Sequence, residues 1–424
     1  MMPVQHFSSN KGRKAFSLFL KISCYTISMS KKINIKKFLS TITENAILEK
    51  LFNSVSATDV PFIAENAAQK DREKVLFAYY KSLEADIRIA LLEKINLISV
   101  ISDKNGARII KSILDKSKYE PLDVVADSNT DKAVAFYFEH NDQFEDVYLL
   151  CNILTKSGFK RFESAGKEVF DLEGKDNEFQ SAIMEHIAKT SESRSGSVRT
   201  VCFDKNYYTQ FLFEDAPELD RNIDPTTNKA TAIAKRKMKE MYFVYLPESK
   251  TLLTKTIGNF EEQYFFFFFY SRIYVDFNLS PKEYQYDLSR FVGADDHNYP
   301  LVSNPDIISW KILSVSLERS VTKELVTVTC NPKIEGEGMQ AFQALADTFN
   351  LKDIGFEFTK VKLQMIVRDE NSKKGESKVV VGLTKNKSTL NLLRREHLIA
   401  DKILFACEVG LGYKEVEMKH KSEE

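Results

Sequence analysis

Several residue patterns on which metalloenzymes and redox proteins depend are scarce in this chain. Its five cysteines lie far apart and form no CxxC pair, which excludes a zinc ribbon and a thioredoxin-type motif. Its six histidines show no HxH, HExxH or HxxxH spacing, so the sequence predicts no histidine-based metal site. Dispersed cysteines with apolar neighbours are typical of a reducing compartment. We therefore expect a cytoplasmic protein without a cofactor.

Net charge and long apolar runs are also lacking. Sixty basic residues balance sixty acidic ones, whereas proteins that bind nucleic acid normally carry a basic excess. The balance is uneven, because residues 1–37 contain eight basic residues and no acidic one, which leaves 52 basic against 60 acidic residues in the remainder. No run of 18 apolar residues occurs, so the sequence predicts no membrane-spanning helix and no membrane partner.

Signatures of phosphate binding and of nucleophilic catalysis are missing as well. The chain contains neither GxGxxG nor GxxxxGK followed by Ser or Thr, and it has no nucleophile elbow or kinase signature. The stretch EGEGMQAF places two glycines before a predicted helix, as an anion site would. Because Glu335 and Glu337 would repel an anion there, we interpret this stretch as a turn.

The first 28 residues have some of the features of a signal peptide but not all of them. KGRKAFSLFLKISCYTIS has a basic start and an apolar segment, but Lys21 interrupts that segment and no small-residue cleavage site follows. MSKKINIKK, beginning at Met29, is typical of a natural cytoplasmic start. We expect residues 1–28 to be a disordered or misassigned upstream extension, with a secretory or membrane segment as the alternative.

The apolar pattern divides the rest of the chain into two predicted domains. From Ile33 to about Lys189 apolar residues recur at helical spacing, for example at Leu76, Leu83 and Leu91. The polar, Ser-rich stretch KTSESRSGSV at 189–198 is typical of a linker. The sequence therefore predicts an all-helical domain at 29–190 and a second domain at 197–418.

In the second domain the apolar period changes to two. VRTVCF and YYTQFLF flank a turn signal and predict a hairpin, while residues 216–232, rich in turn formers, predict a long loop. Three strand–strand–helix units follow, with predicted helices at 259–272, 339–350 and 388–405. Such units predict an antiparallel sheet with helices on one face, which is an α+β fold.

Seven consecutive aromatic residues, Tyr264 to Tyr270, raise the question of a membrane, ligand or core role. Aromatic residues favour strands, but Asn259 and Glu262 form a capping-box-like start, and we predict a helix with a strand as the alternative. Seven helical residues span only about 10 Å, too little to cross a bilayer. We expect a core helix. A base-stacking or ligand platform is the alternative, which the single nearby basic residue, Arg272, disfavours.

One pattern resembles the metal-dependent nucleases of the PD-(D/E)xK type. Asp369 is followed across a predicted hairpin by Glu376 and Lys378, and i,i+2 spacing would place the last two on one strand face. The resemblance implies a metal held by the carboxylates and a lysine that helps to activate water. Glu-x-Lys recurs at Glu173, Glu248 and Glu417, however, which favours chance and solvated hairpin charges.

Two charged clusters are candidate binding sites. Asp295, Asp296 and His297 could hold a divalent metal, although a solvated loop fits them better and we predict no metal site. A basic cluster could contact phosphate groups, with an ordinary solvated face as the alternative. It comprises Lys229, Lys235, Arg236, Lys237 and Lys239, which are predicted to lie in the long loop before the next strand.

The sequence favours a non-catalytic protein that binds a macromolecular partner, either a protein or a nucleic acid. The alternative is a metal-dependent nuclease or phosphoesterase that uses Asp369, Glu376 and Lys378. Abundant Lys, Ile and Phe suggest, by association, a bacterial cytoplasmic protein encoded by an AT-rich genome. An accessory role in defence or in mobile-element biology is a hypothesis built on that association.

Overall fold

The computed structural model of the protein describes most of the chain between residues 33 and 415. The described residues are 33–64, 67–116, 128–163, 172, 174–190, 195–214, 218–223, 230–235, 238–256, 260–275, 282–291, 301, 304–319, 321–329, 356–370, 372, 374–392 and 394–415. Within these ranges, no helix combines the length and the apolar character that crossing a bilayer requires.

The first half of the described chain is mainly helical, although one strand, Lys160–Glu163, lies within the predicted all-helical range 29–190. In order, its helices are α1 (Ile35–Ser40), α2 (Asn45–Asn53), α3 (Gln69–Ser82), α4 (Ala85–Val100), α5 (Lys104–Lys116), α6 (Asn129–Glu139), α7 (Asn141–Thr155) and α8 (Lys175–Thr190). Side-chain caps begin α1, α5 and α6: Asn34 accepts the Lys37 N–H, Asp103 accepts the Gly106 N–H and Ser128 accepts the Asp131 N–H.

A buried carboxylate joins the loop between α1 and α2 to the start of α6. Asp131 is fully buried, and it accepts hydrogen bonds from the Thr43 N–H at 3.0 Å and from the Ser128 hydroxyl at 2.7 Å. Arg72 of α3 donates to the Thr43 carbonyl at 3.0 Å. Because the Thr43 and Ser128 donors replace water around the buried carboxylate, the cluster stabilises the packing of these helices.

A seven-stranded sheet includes strands from both halves of the sequence. Its members are β1 (Lys160–Glu163), β2 (Gly196–Phe203), β3 (Asn206–Glu214), β6 (Met238–Leu246), β7 (Thr251–Lys255), β8 (Lys282–Tyr286) and β14 (Gly410–Glu415). The spatial order is β14-β8-β1-β7-β6-β3-β2. The predicted β2–β3 hairpin is confirmed, and its turn residues Asp204 and Lys205 have φ of 49° and 64°, as a type I′ turn requires.

The predicted loop at 216–232 is wrong, because strands occupy much of it. β4 (Glu218–Ile223) and β5 (Ala230–Lys235) pair antiparallel as a two-stranded sheet, with Glu218 opposite Lys235. The turn formers that suggested a loop are concentrated in residues 224–229, between the two strands. Local composition therefore concealed the strands that lie before and after these residues.

A five-stranded antiparallel sheet lies in the C-terminal part of the chain. Its strands are β9 (Ile307–Arg319), β10 (Leu325–Thr329), β11 (Phe356–Arg368), β12 (Glu376–Thr384) and β13 (Lys387–Ser388), in the order β10-β9-β11-β12-β13. Leu363 on β11 is opposite Ile312 on β9 and Val381 on β12, and all three are buried. This buried side is the inner face of the sheet; the residues that alternate with it form the outer face.

The aromatic run is a buried helix, as predicted. It forms α9 (Phe260–Tyr270) and continues into a π-helical turn at Ser271–Val275. Tyr264 and Phe267 are each 1% exposed and Tyr270 is 0% exposed, whereas Phe265 and Phe268 are half-buried. The predicted cap formed by Asn259 and Glu262 falls outside the residues and side chains that the structure describes.

The first and third strand–strand–helix units are confirmed, but they belong to two sheets, which corrects the expectation of one. The β6–β7 pair and α9 form the first unit. β9 and β10 form the strands of the second, whose predicted helix at 339–350 falls outside the described residues. β11 and β12 lead to α10 (Arg395–Ala406), which begins later than predicted because Lys387–Ser388 is β13. Strands β1, β8 and β14 were not predicted, because four to six residues give little alternation to detect. The α+β class is confirmed.

Contacts divide the chain into two compact units. One comprises Met1–Asn152, Met184–Ser197 and Leu212–Glu240, and the other comprises Ile153–Ile183, Val198–Phe211 and Met241–Glu424. The whole five-stranded sheet belongs to the second unit. There α10 contacts β11 and β12 of that sheet and β14 of the seven-stranded sheet.

Candidate functional site

The three residues of the nuclease-like pattern do not converge. Asp369 follows β11, is 7% exposed, accepts a hydrogen bond from the Ser377 hydroxyl at 2.7 Å and lies 3.3 Å from the Arg395 Nε. Glu376 and Lys378 flank Ser377 on β12 and are exposed. Because neighbouring residues of a strand point to opposite faces, the Asp369 carboxylate lies on one side of β12 and the other two side chains on the opposite side. This arrangement does not form a shared metal site.

The rest of the described chain offers no metal-ligating cluster. Across the described ranges, no three His, Cys, Asp or Glu side chains are grouped closely enough to hold a metal ion. Asp295, Asp296 and His297 fall outside those ranges, so their predicted solvated loop stays a prediction.

Two of the described cysteines have thiols whose pKa is raised. Cys151, Cys202 and Cys407 are free thiols. Burial raises the pKa of Cys151 to about 12, and the nearby Asp103 carboxylate adds to the rise. Burial also raises the pKa of Cys407. Because the thiolate is the reactive form and a raised pKa keeps the thiol protonated, neither of these two residues is an activated nucleophile.

Two residues of the predicted basic cluster lie in strands. Lys235 is the last residue of β5 and Lys239 lies in β6, while Lys229, Arg236 and Lys237 fall outside the described residues. The predicted loop placement of Lys235 and Lys239 is therefore wrong. The use of this cluster in binding stays a prediction.

A different set of basic residues is gathered on the outer face of the five-stranded sheet. It consists of Lys311 on β9, Lys360 and Lys362 on β11, and Lys378 on β12, and we call it the lysine face. Lys360, Lys362 and Lys378 are exposed and Lys311 is half-buried. They point outward because the apolar residues that alternate with them fill the inner face, an arrangement that antiparallel sheets commonly adopt.

Strand register brings these four lysines together. Gln364, two residues after Lys362, is directly opposite Lys311, and Lys378 is opposite Ile366, two residues further along β11. Diagonal neighbours on one sheet face are roughly 7–8 Å apart. The step from the level of Lys360 to that of Lys378 is six residues of β11, or about 20 Å. The lysine face is thus a strip along the middle of the sheet.

Carboxylates of the outer face lie at the two ends of this strip. At one end Glu357 is opposite Glu318, which forms an ion pair with Lys323 at 2.9 Å. At the other end Glu376 is opposite Arg368. Among the residues that the structure describes, no carboxylate forms an ion pair with Lys360, Lys362 or Lys378. The middle of the strip is therefore positively charged.

The lysine face has hydroxyl neighbours and no ring to stack on. Ser316 is opposite Lys360, Ser314 is opposite Lys362, and Ser309 precedes Lys311 on the same face. No aromatic residue occupies an outer position of β9, β11 or β12 within the described chain. Such a surface can hold phosphate or carboxylate groups but cannot stack on bases.

No known protein family and no characterised protein matches this chain. Geometry and charge are therefore the guides to its function.

Buried polar groups offer two further candidates, and the first is a chain of hydroxyls. Asp176 of α8 accepts the Tyr274 hydroxyl at 2.5 Å and the Thr200 hydroxyl at 2.6 Å, and Thr209 links Thr200 to Tyr270. Burial, and then the Asp176 charge, raise the pKa of Tyr274, which keeps its phenol protonated as a donor. π-helical turns are frequent at functional sites. Each hydroxyl here already has a partner within the chain, so the network fastens the π-helical turn.

The second candidate is an ion pair between distant parts of the sequence. Arg161 of β1 donates to Asp401 of α10 at 2.7 Å, and its guanidinium carbon lies 3.8 Å from the ring centroid of Tyr284. Burial raises the pKa of Asp401, and the Arg161 charge opposes that rise. The Arg161 charge is shared between a carboxylate and an aromatic face. The pair therefore holds α10 on the seven-stranded sheet and leaves no reacting group exposed.

Sequence reasoning missed the lysine face, although part of the signal was available. Lys360, Lys362 and Gln364 are the polar positions that alternate with the apolar residues of β11, a pattern that by itself indicates only the solvated side of a strand. The addition of Lys311 and Lys378 depends on which strands are neighbours, and alternation within one strand cannot reveal this.

Proposed function

We propose that this protein is a non-catalytic binding protein that holds an anionic macromolecular partner on the lysine face. The observation that carries the proposal is the row of Lys360, Lys362 and Lys378, which are exposed and have no carboxylate partner among the described residues. Like charges held on a rigid sheet repel one another, and a bound anion relieves that repulsion. A partner with many negative charges would match the strip along its whole length.

The placement of Asp369 supports binding over catalysis. Its carboxylate is engaged by Ser377 and Arg395 on the opposite side of β12 from Glu376 and Lys378. Of the three residues in the nuclease-like pattern, Asp369 is therefore a structural carboxylate. Glu376 and Lys378 are surface charges, and Lys378 belongs to the lysine face. A bacterial origin, a cytoplasmic location and an accessory role are also part of this proposal, and they rest on composition alone.

Retention on immobilised heparin tests the proposal, because heparin is a regular polyanion. The test variant carries Lys311→Gln, Lys360→Gln, Lys362→Gln and Lys378→Gln. The control carries Lys70→Gln, Lys74→Gln, Lys104→Gln and Lys111→Gln, which are exposed lysines of α3 and α5. Both variants lose the same net charge, so they differ only in where it is lost.

We expect the test variant to elute at clearly lower salt than the control, because clustered charges on one surface determine polyanion affinity. Thermal unfolding of both variants confirms that each is folded. Equal elution of the two variants would reduce the effect to overall charge and would overturn the proposal.

A further inference from the structure

Three more lysines meet at the loop that follows α7. Lys255 at the end of β7 donates to the Ser157 carbonyl at 2.7 Å. The Lys387 side chain lies against Gly158, where an added Cβ would be 3.0 Å from its Cε and 3.6 Å from its Nζ. Lys156 belongs to the same loop, and its Nζ is 5.1 Å from the ring centroid of Tyr242. The three side chains surround one short stretch of backbone.

These lysines affect one another electrostatically. Burial lowers the pKa of Lys255, and the charges of Lys156 and Lys387 lower it further. The carbonyl end of α7 offsets part of this repulsion, since a helix C-terminus carries roughly half a negative charge. Among the described residues, no carboxylate forms an ion pair with Lys255 or Lys387. The loop therefore has an excess of positive charge that an anion can neutralise.

The cluster is continuous with the lysine face. Lys387 on β13 is opposite Thr384 on β12, and the pairing of Val361 with Leu383 places Thr384 beside Lys360. Lys387 therefore lies on the outer face, two strands from Lys360, at a distance of about 10 Å. This step runs across the strands, whereas the strip of about 20 Å runs along β11, so the two form a bent basic track with its corner at Lys360.

We propose that this track, from Lys378 through Lys362 and Lys360 to Lys387 and Lys255, holds the phosphodiester backbone of a nucleic acid without reading its bases. The inference rests on the proposed function and names the partner of the same surface. A nucleic-acid strand carries one phosphate per roughly 3.4 Å of duplex axis, so the track is long enough to contact several phosphates.

The composition of the track favours nucleic acid over an acidic protein. Protein–protein interfaces are depleted in lysine and rely on buried aromatic anchors, and the described outer positions of β9, β11 and β12 include no aromatic residue. Lysine is a usual phosphate ligand that acts as a point charge. Backbone contacts of this kind carry no sequence information, so binding is expected to be independent of sequence.

Fluorescence anisotropy with the full-length protein tests the inference. The probes are two labelled single-stranded DNA oligonucleotides of unrelated sequence and about 20 nucleotides, an RNA of one of these sequences, and a duplex. Polyglutamate of matched charge is the competitor that represents an acidic protein. The variants are Lys387→Gln and Lys255→Gln, with Lys70→Gln as the matched surface control and thermal unfolding as the check on folding.

We expect the two DNA sequences to bind with similar affinity and polyglutamate to compete poorly. The RNA and the duplex distinguish which nucleic acid carries the shared phosphodiester chemistry. In a plot of log K against log salt, Lys387→Gln should reduce the slope by about 0.7 for a single strand and about 0.9 for a duplex. Lys70→Gln should leave the slope unchanged.

Two outcomes would overturn this inference and leave the proposed function intact. Polyglutamate that competes as well as the oligonucleotides would identify an acidic protein partner. If Lys387→Gln and Lys255→Gln give the same slope as Lys70→Gln, the track ends at the lysine face. If no oligonucleotide binds and the heparin variants elute together, the inference and the proposed function both fail.

Discussion

The rings of Phe162 on β1 and Phe267 on α9 lie with their centroids 4.3 Å apart. Tyr264, one helical turn earlier, meets the same Phe162 ring edge-on at 5.7 Å. All three residues are no more than 1% exposed. The aromatic run is therefore attached to the seven-stranded sheet through a strand of only four residues, and it serves as core.

Truncation of Phe267 should be strongly destabilising. Phe267→Ala removes a fully buried ring and leaves a cavity beside Phe162, at an expected cost of about 3–5 kcal/mol in the free energy of unfolding. Phe268→Ala, at the next and half-buried position, is the matched control and should cost clearly less. Chemical denaturation of the three proteins measures the difference. Equal losses would mean that the run is not anchored through Phe267.

Removing one partner of the Arg161–Asp401 pair should destabilise the protein more than replacing both partners with apolar residues. Asp401→Ala leaves the Arg161 charge buried without its carboxylate, at an expected cost of about 3–5 kcal/mol. The double variant Arg161→Leu/Asp401→Leu replaces both charges with apolar side chains and should recover a large part of that loss. Urea unfolding of the single and double variants tests this. A double variant less stable than Asp401→Ala would contradict a mainly structural role for the pair.

His397 should make stability fall in mildly acidic solution. Its Nδ1 accepts the Asn391 N–H at 2.8 Å, which requires an unprotonated nitrogen. Burial, and then the Arg394 charge, lower the pKa of His397 from its ordinary value of about 6.5. Because the folded pKa is below the unfolded one, the unfolded chain binds a proton first. The stabilisation is therefore complete above pH of about 6.5 and is lost as the pH falls from there towards the folded pKa.

The variant His397→Gln isolates this effect, because glutamine can accept the same N–H and does not titrate. Melting temperatures of the two proteins should converge as the pH is lowered from about 7.5 to about 5.5, if wild type is the more stable at neutral pH. If the variant is the more stable at neutral pH, the gap should widen instead. Parallel curves would show that protonation of His397 is not coupled to unfolding.

Asp369 and Glu376 should behave as a structural carboxylate and a surface charge. Asp369→Ala removes the acceptor of the Ser377 hydroxyl in a buried position, at an expected cost of about 1–3 kcal/mol. Glu376→Ala should change the free energy of unfolding by no more than about 0.5 kcal/mol. Incubation of the wild-type protein with DNA or RNA and Mg²⁺ or Mn²⁺ should give no cleavage. Metal-dependent cleavage that Glu376→Ala abolishes would restore the nuclease alternative.

Elements with a strong local pattern were predicted correctly. The long strands β11 and β12 alternate over many residues, and the buried helix α9 follows a capping-like start, so each is visible within a short window of sequence. β1 was missed because KRFE alternates too briefly to distinguish it from the helices on either side. β4 and β5 were missed because the prolines and polar residues around Asp224 dominate their surroundings.

The sequence alone determined the α+β class and which residues of β11 form its buried face, because side-chain alternation is a property of a single strand. It could not determine that Arg161 meets Asp401, or that Lys311, Lys362 and Lys378 share one face. Those proximities depend on which strands become neighbours and in what register, and register is fixed by the packing of whole faces against one another. The candidate binding surface is therefore a product of tertiary structure, assembled from lysines that are unremarkable at their separate places in the chain.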